Sequence, residues 1–389
     1  MRRVIAFCIA LAPASASAAV INVPADHATI QAAINASVNG DEIIVAPGTY
    51  NESINPQGKA ITIRSADPTD PAVVQATIID PLGVNAGVIC VSGETANTVF
   101  SGFTITGGSA LTGGGMANVS SSPTVRRCVF VGNSASNLGG GMYNTGGSSP
   151  TIEHCIFIGN TSTSHGGAIY VASGSPKVTN CAFIGNIAGG QGGGLYVHVS
   201  SPSVTNCTFT ANTATGGGAL SNNNSSNTTV TNCTLWGDAP SEITNFNSPV
   251  PVVTYCNVQG GSAGAGNINA NPLFVDADGS DNVFGTLDDN VRLSASSPCI
   301  DAANNGAPGL VGITTDLDIL PRFVDDPAVA DTGAGSAPIV DMGAYEFQAS
   351  GPAPVPTLNQ WGILALGLLV LTSGTLVIRQ ASVPSGAAA

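Results

Sequence analysis

The sequence predicts an all-β protein, a parallel β-helix in which short strands wind into stacked coils. Three observations predict this fold: a repeat of about 26 residues, apolar segments too short for helices, and Asn and Gly residues at fixed places in each repeat. Units that recur at such a period stack on one another and share one continuous core.

Cys, Phe and Asn carry the repeat. Phe follows the first four of these Cys by two positions, and Asn follows each Phe by three. Strand residues two apart lie on one face, so Cys and Phe are expected to point inward, while Asn and the Gly clusters form left-handed or crowded corners. The predicted structural ladder comprises Cys128, Cys155, Cys181, Cys207 and Cys233, then Phe130, Phe157, Phe183 and Phe209, then Asn133, Asn160, Asn186 and Asn212. We interpret these residues as scaffold, with no catalytic role.

The redox state of the cysteines has two interpretations. Eight cysteines remain once the leader is removed, and an even number in an exported protein is compatible with disulfides. Their repeated interior position instead favours a column of small apolar thiols. No CxxC pair occurs, and the histidines do not share a repeat position with the cysteines, so a Cys/His metal site is disfavoured.

The two ends of the chain are predicted to be targeting segments. Arg2 and Arg3 precede the apolar run "VIAFCIALA" and the small residues "ASASA", which is typical of a signal peptide. The 18 uncharged residues "WGILALGLLVLTSGTLVI" stand before Arg379, which predicts one transmembrane helix with its tail in the cytoplasm. The predicted domains are a signal peptide (1–18), a β-helix (19–270), an acidic module (271–349), a Pro-rich linker (350–357), a membrane helix (358–379) and a tail (380–389).

Composition excludes one class of partner. The net charge is -14 and the ten Lys and Arg residues are scattered, so no basic patch predicts nucleic-acid binding. The segment 271–347 holds 13 of the 24 acidic residues. Within it, Asp276, Asp278, Ser280 and Asp281 offer closely spaced oxygen donors of the kind that calcium takes. A solvated acidic turn without an ion is the favoured alternative, so we expect no cofactor, with calcium as the open candidate.

The N-terminal part resembles a known superfamily. The segment "INVPADHATIQAAINASVNGDEIIVAPGTYNESI" (21–54) is similar to the entry of pectin-lyase-like right-handed β-helices, which implies a right-handed coil and a short capping helix at about 28–37. The FxxN and GGA[ILV] steps, as in Phe157 to Asn160, resemble the repeats of chlamydial polymorphic outer-membrane proteins, which are surface adhesins. That second resemblance covers about 113–236.

Two C-terminal segments also resemble known bacterial elements. The module resembles the choice-of-anchor domain of exported proteins; its matching residues are Ser297, Pro298, Ile300, Asp301, Asp318, Arg322, Asp341, Gly343, Ala344, Tyr345 and Glu346. The segment after it resembles a Pro-Thr-Leu type sorting signal, at Pro356, Thr357, Leu358, Trp361 and Gly362, with Val355 where Ile is usual. A plain membrane anchor is the alternative to this sorting signal.

These features predict an exported bacterial protein at the cell surface, retained by its membrane helix or released after processing by sorting machinery. We expect a non-enzymatic structural or adhesive β-helix that binds a glycan or another cell-surface ligand. The alternative is a polysaccharide lyase or hydrolase acting on acidic polysaccharide. A hydrolase needs two facing carboxylates, but Glu153 is the only acidic residue between 101 and 237. Residues available for catalysis lie in the amino-terminal coils: Lys59, Arg64, Asp67, Asp70 and Asp80.

Overall fold

The structure is a computed structural model that describes residues 18–348. Residues 20–258 form a parallel β-solenoid of about nine turns, whose faces are three long sheets and one short one. From Val88 onward each coil adds one strand to each long sheet, and identical repeat positions pair: Phe130 with Phe157, and Phe157 with Phe183. The parallel β-helix predicted from the repeat is therefore confirmed.

Sheet 1 has ten strands and is the longest. Its strands are Val20–Val23, Glu42–Val45, Thr62–Ser65, Val99–Ser101, Thr124–Arg126, Thr151–Glu153, Lys177–Thr179, Ser203–Thr205, Thr229–Thr231 and Val252–Thr254. Sheet 2 has nine strands, Gly48–Tyr50, Thr77–Ile79, Thr104–Thr106, Val129–Val131, Ile156–Ile158, Ala182–Ile184, Thr208–Thr210, Thr234–Leu235 and Asn257–Val258. Most of these strands have three or four residues, so the turns between them decide the cross-section of the coil.

Sheet 3 has seven strands: Val88–Cys90, Met116–Val119, Met142–Thr145, Ile169–Ala172, Leu195–His198, Leu220–Asn223 and Ile243–Phe246. Sheet 4 has four, Ser109–Thr112, Ser134–Leu138, Thr161–Ser162 and Ile187–Ala188. The interior between the sheets is filled by stacked side chains, including a phenylalanine column whose ring centroids are 4.4 to 5.1 Å apart. Burial of each ring contributes about 2–3 kcal/mol before entropy costs.

A short helix, Ile30–Ala36, covers the first coil. Ile30, Ala33 and Ile34 form the buried face of this helix, and Thr29 caps its first turn. The carboxylate of Glu52, from the next part of the chain, accepts hydrogen bonds from the first helical N–H groups at 2.7 and 2.9 Å. The helix therefore begins two residues after the position that the resemblance implied, because Thr29 and Glu52 satisfy its free N–H groups there.

A second helix, Pro71–Ala76, lies between two coils and was not predicted from the sequence. Asp70 caps it, and Pro71 occupies the first turn, where no N–H is needed. It packs beside the strands Thr77–Ile79 and Thr104–Thr106 on the outside of sheet 2.

Residues 271–348 follow the solenoid and return along its side. They contain the antiparallel pair Phe274–Asp276 and Asn290–Leu293, the 3-10 turn Pro308–Leu310 and otherwise irregular chain. Asn206 donates to Asp341 O at 3.3 Å, and Ala344 N donates to Thr208 Oγ1 at 3.0 Å. Gly343 has a φ of +107°, and a Cβ there would lie 2.8 Å from Thr208 Oγ1. The segment is thus seated on the corner between sheets 1 and 2.

Within residues 18–348, no helix has the length and apolar character needed to cross a membrane. The predicted linker, membrane helix and tail lie outside the described residues, as does the predicted signal peptide except for Ala18. The sorting residues Pro356, Thr357, Leu358, Trp361 and Gly362 lie outside them too. These targeting segments stay predictions.

Candidate functional site

The predicted ladder residues lie inside the solenoid. Asn133 Nδ2 donates to Asn160 Oδ1 at 3.0 Å, and the same bond links Asn160 to Asn186 and Asn186 to Asn212, at 2.9 and 2.8 Å. All four side chains are buried. One expectation is wrong: the left-handed backbone falls on the residue before each Asn, as in Gly132. Glycine accepts positive φ without a Cβ clash, so the Asn keeps an ordinary backbone and turns its amide inward.

The cysteines of the described chain are all buried free thiols, which agrees with the favoured interpretation. The ladder members lie inside the corner between sheets 1 and 2, where Cys155 N donates to Cys181 Sγ at 3.4 Å. Each ladder thiol also reaches the carbonyl two residues before it, as Cys181 Sγ does with Thr179 O at 3.2 Å. Burial raises the pKa of Cys181 and Cys207, so these thiols are poor nucleophiles. The column packs the core and satisfies its own polar atoms.

The predicted calcium turn is organised by a carboxylate outside the predicted set. Asp288 Oδ2 accepts from both the N–H and the hydroxyl of Ser280, each at 2.8 Å, and Asp281 Oδ1 accepts from Val283 N at 2.8 Å. Asp276 and Asp278 lie in the same turn but do not join a group of three carboxylates within 4.8 Å of one another. In the described chain that group is a different one, Asp301, Asp325 and Asp331. Calcium binding at the predicted turn stays a prediction.

The charged residues of the amino-terminal coils are held in structural contacts. Lys59 Nζ donates to backbone carbonyls at the end of the first helix, including Ser37 O at 2.8 Å. Arg64 pairs with Glu42 at 2.6 Å. Asp67, Asp70 and Asp80 each accept from a backbone N–H two residues later, at 2.8 Å in every case. Each of these charged groups therefore has a local partner, and these contacts do not join them in one shared cleft.

A pocket lies where the C-terminal segment meets the first coils of the repeat. It contains about 850 Å³ of space, counted with the open solvent at its mouth. The helix Pro71–Ala76 forms one wall, the corner between sheets 1 and 2 forms another, and the C-terminal segment closes the third. The walls are mostly apolar, with Val74, Val129, Ile156 and Leu317 among them. Apolar walls with a few polar groups are typical of sites for small organic ligands.

Among the described residues, Arg127 is the charged group of this pocket without a hydrogen-bond or ion-pair partner. Its backbone has a φ of +53°, which turns the side chain away from the sheet at the corner. The side chain is half-buried, its Nε is shielded from solvent, and within residues 18–348 the guanidinium makes no hydrogen bond or ion pair. Burial and the neighbouring Arg126 lower its pKa, against the opposing effect of Glu153. A half-buried cation without an ion-pair partner favours the binding of an anion.

The other polar groups of the pocket are positioned by contacts between the two parts of the chain. His154 Nε2 lies 3.2 Å from Thr315 O, and burial lowers the histidine pKa, so the ring is neutral near pH 7. Arg292 forms a two-bond ion pair with Asp318, and its guanidinium carbon lies 4.8 Å from the centroid of the Tyr345 ring. Because Arg292 and Asp318 are paired with each other, neither competes with Arg127 for a ligand.

Two neutral polar groups complete the lining. Within the described chain, the Gln75 amide and the Tyr345 hydroxyl have no hydrogen-bond partner. Both residues line the pocket with Arg127. The site therefore combines one positive charge with two neutral groups that are able to donate hydrogen bonds.

The sequence contained part of the signal for this site. The residue before each ladder cysteine has a φ near +50° and is Asn180, Asn206 and Asn232 in the later coils. Arg127 and His154 occupy the same position in the two earlier coils. Asn is common at positive φ, so Arg and His there are departures from the local preference. The other half of the pocket comes from residues 287–345, which no repeat register connects to these coils.

A column of tyrosines on sheet 3 was also missed. Tyr143, Tyr170 and Tyr196 stack with centroids 5.3 Å apart, and the His165 ring stacks on Tyr196 at 4.5 Å. Its signal was the tyrosine that follows the GG[GA][MIL] step in three consecutive coils, in the same register as the ladder. The tyrosine faces cover one another; Tyr143 and Tyr170 stay partly exposed, whereas Tyr196 is buried and its hydroxyl accepts from Asn223.

A comparison with protein families agrees with this architecture over part of the chain. A family model described as "Right handed beta helix region" matches residues 49–197. No curated protein matches the chain. Among solved structures, a pectate lyase, Pel9A, is 16% identical with a TM-score of 0.42, over 86% of this chain and 97% of that one. A pectin methylesterase from Aspergillus niger is 15% identical with a TM-score of 0.40, over 66% of this chain and 87% of that one. Over residues 49–197 this chain is therefore similar to right-handed β-helix proteins.

Proposed function

We propose that this protein is a non-enzymatic structural and adhesive β-helix that binds acidic glycans, with Arg127 holding a sugar carboxylate in the pocket. The observation that carries the proposal is the unpaired, half-buried Arg127 guanidinium in a largely apolar pocket. A guanidinium binds a carboxylate through two parallel hydrogen bonds, and shielding from water strengthens them. Arg127 therefore gives the pocket a preference for anionic over neutral ligands.

The rest of the lining fits a sugar ring. Apolar side chains such as Val129 and Ile156 offer contact to the C–H faces of the ring, while Gln75 and the Tyr345 hydroxyl are free to bond its oxygens. The open mouth leaves space for the polymer to continue beyond the bound residue. This combination favours a uronate within an acidic polysaccharide over a free inorganic anion.

The non-enzymatic part of the proposal is supported by the acidic groups near the pocket. Of the described residues that line it, only Asp318 is acidic, and its carboxylate is paired with Arg292. Hydrolysis of a glycosidic bond ordinarily uses two carboxyl groups on either side of that bond. Export, surface location and membrane retention belong to the same proposal and are supported by the terminal segments of the sequence.

The test uses the full chain and matched variants. Polygalacturonate and alginate are compared with neutral dextran by affinity electrophoresis, while absorbance of unsaturated uronate is followed in parallel. Arg127→Asn introduces the residue that later coils carry at the same backbone position, so the fold tolerates it. The control, Arg126→Thr, removes the same charge and introduces the residue that pairs farther along sheet 1, as at Thr179 and Thr205.

We expect the acidic polymers to bind and dextran not to bind. Arg127→Asn should weaken that binding at least tenfold, about 1.4 kcal/mol, whereas Arg126→Thr should change it little. Equal weakening by both variants would show that net charge is responsible, and no binding would remove the glycan part of the proposal. Release of unsaturated uronate would replace the non-enzymatic interpretation by the lyase alternative.

A further inference from the structure

A second group of charged residues lies in the C-terminal segment, outside the pocket lining. Carboxylate oxygens of Asp301, Asp325 and Asp331 all lie within 4.8 Å of one another. Asp301 is fully buried, whereas Asp325 and Asp331 are exposed. Three like charges at these separations repel one another unless a cation lies between them.

The backbone fixes this group in place. Asp301 Oδ2 accepts from Asp326 N at 3.2 Å, which places the adjacent Asp325. The Asp301 carbonyl accepts from Thr332 N and Gly333 N at 2.9 and 3.1 Å, which places Asp331 on the other side. The loop therefore wraps around Asp301 and presents two exposed carboxylates to the buried one.

One oxygen of the buried carboxylate has no partner. Asp301 Oδ1 is shielded from solvent and accepts no hydrogen bond within the described chain, while Oδ2 is used by Asp326 N. A buried carboxylate oxygen without a donor is costly, and a bound cation removes that cost. The unpartnered Asp301 Oδ1, like the clustering of charge, therefore indicates a bound cation.

We propose that Asp301, Asp325 and Asp331 form a Ca²⁺ site that closes the loop 325–333 over the C-terminal segment. Calcium–oxygen distances of about 2.3–2.6 Å allow ligand oxygens up to about 5 Å apart, which accommodates this group. Calcium takes carboxylate oxygens together with water in irregular geometry, and the two exposed aspartates leave room for water. Mg²⁺ demands a near-ideal octahedron and suits the site less well.

The experiment uses the full chain, stripped with chelator and dialysed. Calcium binding is measured by titration calorimetry. Thermal unfolding is followed without calcium and with calcium at about 1 mM, a concentration in the range of the dissociation constants of extracellular calcium sites. Asp331→Asn is the test variant, because the Asp331 side chain is exposed and no hydrogen bond is lost. Asp278→Asn is the matched control, since it removes one partly exposed carboxylate from the predicted calcium turn.

We expect calcium binding to weaken at least tenfold in Asp331→Asn and to persist in Asp278→Asn. We also expect the metal-free Asp331→Asn variant to unfold at a higher temperature than the metal-free parent, because one repelling charge is gone. Calcium binding lost in Asp278→Asn but kept in Asp331→Asn would assign the ion to the acidic turn and overturn the proposal. Absence of calcium binding to the parent would also overturn it.

Discussion

The solenoid and the C-terminal segment are stabilised in opposite ways. In the coils, neutral residues repeat: a phenylalanine stacks on a phenylalanine, and Asn160 donates to Asn186 as Asn133 donates to Asn160. In the C-terminal segment, one fully buried arginine, Arg322, lies among buried carboxyl groups. In a repeat, a polar side chain can bond the same residue type in the next coil. An irregular chain instead needs charged side chains to bond its backbone N–H and C=O groups.

The contacts of the C-terminal segment show this need. Arg322 Nη2 donates to the carbonyls of Asp341 and Gly343, and its Nε lies 3.6 Å from Glu346. Asp341 in turn accepts from Asp301 N and Phe347 N, at 2.8 and 2.6 Å. Burial raises the pKa of Asp341 to about 7. The motif residues of this segment thus bond irregular backbone that lacks a neighbouring strand.

Truncation of a stacked ring is expected to have the largest effect. Phe157→Ala opens a cavity between Phe130 and Phe183, so we expect a loss of about 4 kcal/mol in the free energy of unfolding. Chemical denaturation of the full chain measures it. Leu111→Ala, at a side chain 67% exposed, is the control and is expected to cost under about 0.5 kcal/mol. A cost near that of the control would contradict the view that the ring column carries the coils.

Removal of the buried charge is expected to act on the other region. Arg322→Met leaves carboxyl groups without their cation, so we expect a loss of about 3 kcal/mol, confined to the C-terminal segment. Hydrogen exchange should quicken in residues 299–346 and stay slow in the coils. Arg64→Met is the control, because its ion pair with Glu42 is partly exposed, and its cost is expected below about 1 kcal/mol. Faster exchange throughout the coils would show that the two regions unfold as one unit.

These two regions also differ in what the sequence could predict. Periodic spacing predicted stacked coils, because each coil repeats the same inward positions, and the structure pairs Phe157 with Phe183 in that register. The seat of the C-terminal segment was not predicted, because its contacts join residues with no common period, such as Asn206 and Asp341. The pocket was missed for the same reason: Tyr345 and Arg292 lie far along the chain from Arg127.

The junction between the regions provides a smaller test. Asn206→Ala removes the bond to Asp341 O and the bond accepted from Asn232, and it places Ala at a φ of +50°. We expect a loss of about 2 kcal/mol, from lost hydrogen bonds and backbone strain. Asn206→Gly separates the two causes, since it loses the same bonds without the strain and should cost about 1 kcal/mol less. Equal costs would mean that left-handed strain is unimportant at this corner.

The last test concerns the end of the Asn ladder, where an Asp carboxyl group takes the place of the next amide. Asn212 donates from its N–H and its amide to Asp238 Oδ1, both at 2.7 Å, while Asp238 Oδ2 is buried without a partner and Asp238 N donates to Glu242 Oε1 at 3.2 Å. Burial and the charge of Glu242 raise the pKa of Asp238 well above 3.8. The folded chain therefore holds a proton that the unfolded chain releases, so stability falls as the pH rises above about 4.

Asp238→Asn continues the ladder with its own residue, so we expect a gain of about 1 kcal/mol at pH 7 and a smaller decline from pH 4 to 7. Denaturation midpoints at pH 4, 5.5 and 7 measure both effects. Glu242→Gln, which removes the partner charge, should also reduce the decline; an unchanged decline in both variants would show that this carboxyl pair does not set the pH dependence of the coils.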